Sequence, residues 1–590
     1  MCGIVGYIGF RKADEVIIPA LKRLEYRGYD SWGVAVKERN ELKLLKKVGA
    51  IGDVGQHHVG EGSIGIGHTR WATHGKPSDV NAHPHTDCGN SIAVVHNGII
   101  SNFQQLKEEL IARGHTFASE TDTEVIAHLI EEYYNGNLRD ATFKAISKLK
   151  GSYAIAVLHK GENRLIACRY KSPLILGVGD GEYFIASDVP AVLDYTNRVV
   201  YLEDGDVVEL NKNGYEIWNG DRVQRSVEVI PWSIEDAEKG GYEHFMLKEI
   251  HETPRVIEDT LVEYVSEDID LDVSFAAGIS DIIFVACGTS YHASMIGKYL
   301  IEEVAEIPVR VEYASEFNYH TSPLGRSLVI SITQSGETAD TLEAMRKAKS
   351  LGSRVLTITN VLGSTATRVA DYVLYTRAGP EISVAATKSF IAQLIVLYIM
   401  AFRLSPLPRS EVSELVEELK LLPEKVRRIL DDEEKIKEIA INLAGYENLM
   451  YVGRGIGFPT ALEGALKMKE ISYIHAEGYP AGELKHGPFA LLGETTPVVA
   501  CVIRDDTYEI MLNNLKEVKA RDSLVVAVAD EDDREVEKYV DHVIRVPKTH
   551  PLLAPVTQSV ALQLLAYFAA RERGCEIDKP RNLAKSVTVE

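Results

Sequence analysis

Two textures of apolar spacing divide the chain. Over residues 1–230, short apolar or alternating runs such as Ser91-Ile-Ala-Val-Val95, Tyr153-Ala-Ile-Ala-Val-Leu158 and Tyr183-Phe-Ile-Ala186 are separated by Gly, Asn and Asp turns, the pattern of strands. Helical spacing intervenes at Asn102–Ala112 and Glu124–Tyr134, which predicts an α+β domain. The charged, glycine-containing stretch Ser233–Gly241 reads as a linker. From about residue 281 the order becomes strand, glycine turn, helix, several times over, the pattern of a doubly wound α/β fold.

That second region repeats itself. Asp281-Ile-Ile-Phe-Val-Ala-Cys-Gly288 aligns with Asn448-Leu-Met-Tyr-Val-Gly-Arg-Gly455 at an offset of 167, and the same offset carries Ala314-Ser-Glu316 onto Ala481-Gly-Glu483. Further on, Arg354–Asn360 matches Ser523–Asp530 at an offset near 170. Two copies of one unit with a parallel sheet are expected, with ligands at the carboxyl ends of the strands. The amphipathic stretch Ser410–Ala440 would join them, and the polar segment Asp578–Glu590 is not a core element.

Composition narrows the class. The 590 residues suffice for three or four domains, and 64 basic against 86 acidic residues give a net charge of −22. That balance argues against nucleic acid or an anionic membrane as partner. The six cysteines, at 2, 88, 168, 287, 501 and 575, show no CxxC spacing and fit a reducing cytoplasm. No signal-like segment precedes Cys2. The longest apolar run, Phe390–Phe402, is 13 residues, short of the ~20 that span a bilayer, and reads as a buried helix.

Candidate chemistry starts at Cys2. Removal of Met1 would leave one residue with a thiol and an α-amine, and such an amine, of reference pKa about 7.7–8.0, can serve as the thiol's own base. In the first copy of the repeat, strand Ser327–Ile332 runs into Thr333-Gln-Ser-Gly-Glu-Thr338, and Cys287-Gly-Thr-Ser290 ends the neighbouring strand in the same manner. Hydroxyls and glycine ahead of a helix N-terminus suit a phosphate. In the second copy the aligned stretch is Ile503-Arg-Asp-Asp-Thr-Tyr508, whose carboxylates would repel one. That copy instead sets Glu463, Lys467 and Glu470 on one helix face, followed by His486, a group suited to proton transfer near neutral pH. The spacing of Gly453-Arg-Gly-Ile-Gly457 does not match a dinucleotide fingerprint. His83, His85 and Cys88 form an H-x-H-x₂-C cluster, with His57-His58 upstream, but a matching second ligand pair is lacking. No metal and no cofactor is expected.

With these residues in view, the amino-terminal region resembles the class II glutamine amidotransferases, which use an N-terminal cysteine on an Ntn-hydrolase (αββα) fold, and the repeat resembles two sugar-isomerase (SIS) domains. In this order, and with the tail Pro580-Arg-Asn-Leu-Ala-Lys-Ser-Val-Thr-Val-Glu590, the whole chain resembles the isomerizing glutamine–fructose-6-phosphate aminotransferases. The resemblance implies a glutaminase domain over 1–232, a linker over 233–250, SIS domains over 251–425 and 426–577, and a tail, 578–590, at the sugar site. It implies that fructose 6-phosphate and L-glutamine become glucosamine 6-phosphate and L-glutamate, the first step toward UDP-N-acetylglucosamine. A cytoplasmic homodimer is implied as well.

The same resemblance assigns roles. Cys2 attacks the glutamine amide; Asn97 and Gly98 form the oxyanion hole; Arg70, Trp71, Thr73, His74 and Asp122 hold glutamine. Losing one oxyanion donor typically costs about 10²–10³ in rate. Cys287, Gly288, Thr289, Ser290, Thr333, Gln334, Ser335, Thr338, Val384 and Ala584 bind the sugar phosphate. Lys585 forms a Schiff base at C2, Glu470 moves a proton from C1 to C2, His486 assists ring opening and Lys467 assists proton handling. Ammonia would travel through an enclosed passage gated by Trp71. Two positions depart from the family pattern: Thr333 replaces a serine, and Trp32 replaces a small residue beside the glutaminase site. A non-catalytic sugar-phosphate sensor and a phosphoribosyl-transferring amidotransferase are the other readings; intact Cys2, Arg70 and Lys585 argue against the first and the SIS repeat against the second.

Overall fold

A computed structural model of the chain describes residues 2–71, 75–230, 238–266, 268–319 and 324–588. The chain forms two compact units, residues 1–237 with 584–590, and residues 238–583.

The first unit is built on two stacked antiparallel sheets. One has the strand order Glu228–Val229, Arg198–Tyr201, Ile175–Val178, Tyr183–Ala186, Gly3–Ile8, Ile64–Arg70, Ser31–Glu38, Glu41–Val48; the other runs Asp221–Val223, Gly214–Asn219, Val207–Asn211, Leu165–Tyr170, Gly151–His159, Ile92–Ile100, His85–Thr86. Alternation along these strands sends one set of side chains, including Ile4, Ile66, Val95, Ala156 and Ile185, into the core between the sheets. The opposite set of the second sheet, including Val94, Ile155 and Val157, meets the helices Phe103–Ala112, Glu124–Tyr133 and Leu138–Ile146. Helix Ala13–Arg23 covers the first sheet through strands Gly3–Ile8 and Ile64–Arg70. The result is the expected αββα sandwich. Gly3–Ile8 is an interior strand, and Cys2 stands just before it, next to Gly3, which pairs with Thr69.

The second unit contains two five-stranded parallel sheets with the same order. The first runs Val309–Tyr313, Ile282–Ala286, Leu328–Thr333, Arg354–Thr359, Tyr372–Tyr375. The second runs His475–Pro480, Asn448–Gly453, Val498–Cys501, Val525–Asp530, His542–Val546. The repeat legible at an offset of 167 is therefore a repeat of topology, with Ile282–Ala286 and Asn448–Gly453 in the same place. The central strands are nearly continuous apolar runs, as strands covered on both faces must be.

One core joins the two copies. The run Phe390–Phe402 lies in the helix Lys388–Leu404 and is buried throughout, as expected. Its Tyr398 hydroxyl donates to Leu552 O at 2.6 Å. Helix Ala554–Glu572 is apolar on all sides; the segment Pro551–Glu572 would be long enough to cross a bilayer, yet its apolar window is wholly buried within the fold.

Two boundaries differ from the expectation. Helix Phe245–His251 begins inside the stretch read as a linker, and its Met246 and Ile250 are fully buried. Its start is held by Asp578, whose carboxylate accepts from the N–H groups of Phe245 and Met246 at 2.9 Å each. A cap from more than 300 residues away leaves no local signal. The tail 578–590 is also divided: residues 578–583 group with the second unit and 584–590 with the first.

Candidate active sites

In the first unit, Cys2 Sγ accepts a hydrogen bond from Trp71 N at 3.2 Å and faces Trp71 O at 3.5 Å. Burial pushes the thiol up, against the pull of the charged amino terminus, the Trp71 N–H, Arg70 and Arg27. Asn97 Nδ2 donates to Cys2 O at 2.9 Å, so the side-chain amide points at the nucleophile's residue. Its orientation is set from behind. His68 Nε2 lies 3.0 Å from both Asn97 Oδ1 and His96 O. Burial pushes His68 down to about 3, so it is a neutral imidazole whose Nε2–H donates to those two acceptors. Gly98 has φ +122°, and a Cβ there would sit 2.1 Å from Ser152 O, so only glycine fits.

Arg70 ends strand Ile64–Arg70 and is buried, with Nη2 donating to Gly75 O at 3.0 Å. Burial lowers its pKa while Cys2, Asp122 and Asp30 oppose that, so these four groups share one neighbourhood. Asp122, 5% exposed, accepts from Ile100 N at 2.8 Å. Thr73 and His74 lie outside the described residues. The indole of Trp71 meets Tyr29 edge-on at 6.1 Å. Trp32, the departure from the family pattern, is buried against the His57 ring at 4.9 Å, and its Nε1 has no hydrogen-bond partner among the described residues. His68 and Arg27 were not singled out from the sequence. For His68 the signal was available: two residues before Arg70 on one strand, it faces the same side.

In the second unit, Cys287–Ser290 and Thr333–Thr338 follow adjacent parallel strands, paired at Ala286 and Ile332. The Thr333 hydroxyl accepts from Gly336 N at 3.2 Å, and Glu337 N donates to Ser335 Oγ at 3.2 Å, which closes the loop into a turn. Gly336 has φ +68°, and a Cβ would meet Ser364 Oγ at 2.1 Å. The hydroxyl of Thr333 thus does structural work that the serine of the family pattern would equally supply. Gln393 Nε2 donates to Ser290 Oγ at 3.1 Å, and Val384 N donates to Asp578 O at 3.0 Å.

Beside these loops the two copies meet in a buried polar cluster. Lys467, 1% exposed, reaches Glu470 at 2.7 Å, Glu463 at 3.5 Å and Thr289 Oγ1 at 3.1 Å. Thr289 Oγ1 in turn donates to Glu463 at 3.2 Å, and His292 Nδ1 lies 2.7 Å from the other Glu463 oxygen. This is no surface ion ladder. Burial disfavours the Lys467 cation, but Glu470 and Glu463 more than offset that and hold its pKa above the ordinary lysine range. Lys467 is thus a fixed positive charge rather than a base. His292, unnoticed in the sequence, sits three residues after Thr289 on one helix face. His486 is exposed at the end of the 3₁₀ turn Ala481–His486, and no hydrogen bond among the described residues ties it to this cluster. Lys585 and Ala584 belong to the first unit.

The H-x-H-x₂-C set does not gather at one point. His83 stacks on His68 at 4.0 Å, and His85 Nε2 lies 3.0 Å from Thr121 Oγ1. Burial pushes both well below the usual histidine range, so they are neutral core groups. Cys88 turns instead toward His115 and His128.

Residues 68–194 match the glutamine amidotransferase domain family, and residues 278–403 and 442–572 each match the SIS domain family. The chain is therefore a glutamine amidotransferase joined to a pair of SIS domains. It is 50% identical to glutamine–fructose-6-phosphate aminotransferase (isomerizing) of Caldanaerobacter subterraneus subsp. tengcongensis and 51% identical to that of Thermococcus kodakarensis, in each case over 100% of both chains. The solved C-terminal domain of glucosamine-fructose-6-phosphate aminotransferase from Francisella tularensis is 40% identical, covers 58% of this chain and 100% of its own, and superposes with a TM-score of 0.56. The chain belongs to the family of isomerizing glutamine–fructose-6-phosphate aminotransferases.

Proposed function

We propose that this chain transfers the amide nitrogen of glutamine to fructose 6-phosphate and isomerises the product to glucosamine 6-phosphate, releasing glutamate. The observation that carries this reading is the Cys2–Asn97–His68 arrangement, a thiol beside a side-chain amide whose donor end is locked toward it. A sugar-phosphate sensor has no use for such a nucleophile.

The α-amine of Cys2, free once Met1 is removed, takes the thiol proton as Sγ attacks the glutamine amide carbon and returns it to the leaving nitrogen. Asn97 Nδ2 and the Gly98 N–H receive the oxyanion, and collapse of the tetrahedral intermediate expels ammonia and leaves a glutamyl thioester for water to cleave. Arg70 pairs with the substrate carboxylate and Asp122 with its ammonium, a division supported by their shared buried neighbourhood. Thr73 and His74 complete the glutamine pocket, and Trp71 keeps the released ammonia from solvent.

At the sugar, hydroxyls and backbone N–H groups of Cys287–Ser290 and Thr333–Thr338 take the phosphate, with Val384 and Ala584 lining the site. His486 assists ring opening, and Lys585 condenses with the C2 ketone, losing water. Ammonia displaces Lys585 to give the C2 imine; Glu470 removes a C1 proton and returns it to C2 while the C1 hydroxyl proton passes to the nitrogen, leaving an aldehyde at C1 and an amine at C2. Lys467, held cationic, holds the Glu470 carboxylate in place through their 2.7 Å ion pair. We read the protein as a cytoplasmic homodimer acting on small metabolites, without nucleic acid or membrane; six free cysteines support a reducing compartment.

Cys2→Ala, assayed for both half-reactions, tests the division of labour. Glutamine hydrolysis should vanish while interconversion of fructose and glucose 6-phosphates persists. Loss of both from a folded variant would contradict separate chemistry.

A further inference from the structure

Cys88, His115, His128 and Glu131 come together from three separate segments of the amino-terminal unit. Cys88 lies in the turn after strand His85–Thr86, His115 in the loop after helix Phe103–Ala112, and His128 and Glu131 one turn apart on helix Glu124–Tyr133. One ligand atom from each falls within 4.8 Å of every other. We propose that these four side chains form a structural zinc site.

The distances fit an ion at their centre. Zinc bonds of about 2.3 Å to sulfur and about 2.0–2.1 Å to nitrogen or oxygen, set tetrahedrally, require S···N edges of about 3.6 Å and N···O edges of about 3.4 Å. Cys88 Sγ is 3.6 Å from His115 Nδ1 and 3.6 Å from His128 Nδ1. Glu131 Oε2 is 3.0 Å from His115 Nδ1 and 3.2 Å from His128 Nδ1. Each imidazole Nδ1 thus faces the same two acceptors, which one N–H cannot serve together. A shared cation does.

The surroundings match as well. His115 turns its Nε2 to Glu132 at 3.0 Å, and His128 its Nε2 to Glu124 at 3.6 Å. The Glu132 carboxylate behind His115 Nε2 fixes the tautomer that leaves its Nδ1 free to ligate, and Glu124 stands behind His128 as an ion-pair partner beyond hydrogen-bond distance. Glu124 is itself anchored by the N–H groups of Ala118 and Ser119 at 2.7 Å. Four protein ligands leave no open position, so the role is a staple rather than catalysis. The stapled segment between His115 and His128 includes Asp122, so metal loss would loosen the proposed glutamine site and leave the sugar chemistry untouched.

Metal analysis of the full-length protein, dialysed against metal-free buffer, tests the site. About one zinc per chain is expected, falling to under about a tenth in Cys88→Ser and His115→Gln. Glu132→Gln should keep the stoichiometry while weakening zinc about 10–100-fold. Reconstitution with cobalt(II) should produce thiolate-to-metal charge transfer and tetrahedral visible bands that Cys88→Ser lacks, and zinc removal should lower the melting temperature and raise KM for glutamine. Equal metal content in wild type and Cys88→Ser, or a cobalt spectrum without the thiolate band, would overturn the proposal.

Discussion

The two parallel-sheet copies share their strand order but not their chemistry. In the first, the loop Thr333–Thr338 offers hydroxyls and a glycine turn ahead of helix Ala339–Ser350, and the Thr338 side chain caps none of that helix's N–H groups. In the second, Asp505 occupies the corresponding place, accepting from Thr507 N at 2.8 Å and Thr507 Oγ1 at 2.6 Å. The next strand ends diverge in the same sense. Asn360 is a neutral amide bonded to Gly379 O, Thr376 and Ala378 N. Its counterpart Asp530 is pushed up to about 6 by burial, with Asp532 and Asp533 adding to the effect against Arg504. The loop proposed to take the phosphate has the neutral Ser335 where the second loop carries Asp505.

Earlier in each copy, on the helices Gly288–Val304 and Gly457–Ser472, the asymmetry reverses. At the offset of 167, Glu463, Lys467 and Glu470 correspond to Ile296, Leu300 and Glu303, the first two of which are fully buried and apolar. One copy carries the loop proposed to take the phosphate and the other the proposed acid–base groups, and the copies join where Thr289 meets Glu463 and Lys467. A helix N-terminus after a parallel strand thus supplies an opportunity for anion binding that neighbouring charge grants or withdraws.

Four substitutions sharpen this contrast. Glu470→Gln should slow interconversion of hexose 6-phosphates by about 10²–10⁴, the usual worth of a general base, while Glu303→Gln in the other copy changes it by no more than about twofold. Equal losses would erase the distinction between the helices. Lys467→Met strands two carboxylates in a buried site and should cost about 3–5 kcal/mol, read from the denaturation midpoint. Ser335→Asp gives the first loop the charge of the second; KM for fructose 6-phosphate should rise more than about a hundredfold with glutamine hydrolysis retained. An unchanged KM would move the phosphate elsewhere.

The smallest effect concerns pH. Because the folded pKa of Asp530 lies above its unfolded value, the native state binds the extra proton between about pH 4 and 6, and stability falls as pH rises through that window. Asp530→Asn should therefore raise the melting temperature at pH 7–8, with the gain vanishing below about pH 4. A gain independent of pH would assign the effect to packing.

Much of the architecture was legible because it is local. Helical spacing over Asn102–Ala112 and Glu124–Tyr134 predicts the helices found at Phe103–Ala112 and Glu124–Tyr133 almost to the residue, and Tyr183–Ala186 is a strand with the bounds expected. Periods of 3.6 and 2.0 are properties of the backbone and survive without any knowledge of the fold. The same periodicity aligned Glu463, Lys467 and Glu470 on one face. It could not say whether that face meets water or Thr289.

Where partners lie far apart in the chain, local reading fails in specific ways. Asp578 caps a helix placed in the linker, and His68 orients Asn97 from another strand. Cys88 ignores the histidines three and five residues before it for His115 and His128. Composition, repeat and motif spacing by themselves pointed to an α+β region followed by a doubled α/β unit, with Cys2, the Thr333–Thr338 loop and the Glu463, Lys467, Glu470 face as candidates, while the αββα class and the roles of Asn97, Asp122 and Lys585 came from the family resemblance. Only tertiary structure decided which of those residues share a low-dielectric site, and burial, by changing the cost of every unpaired charge, separates the Lys467 cation from an ordinary surface lysine.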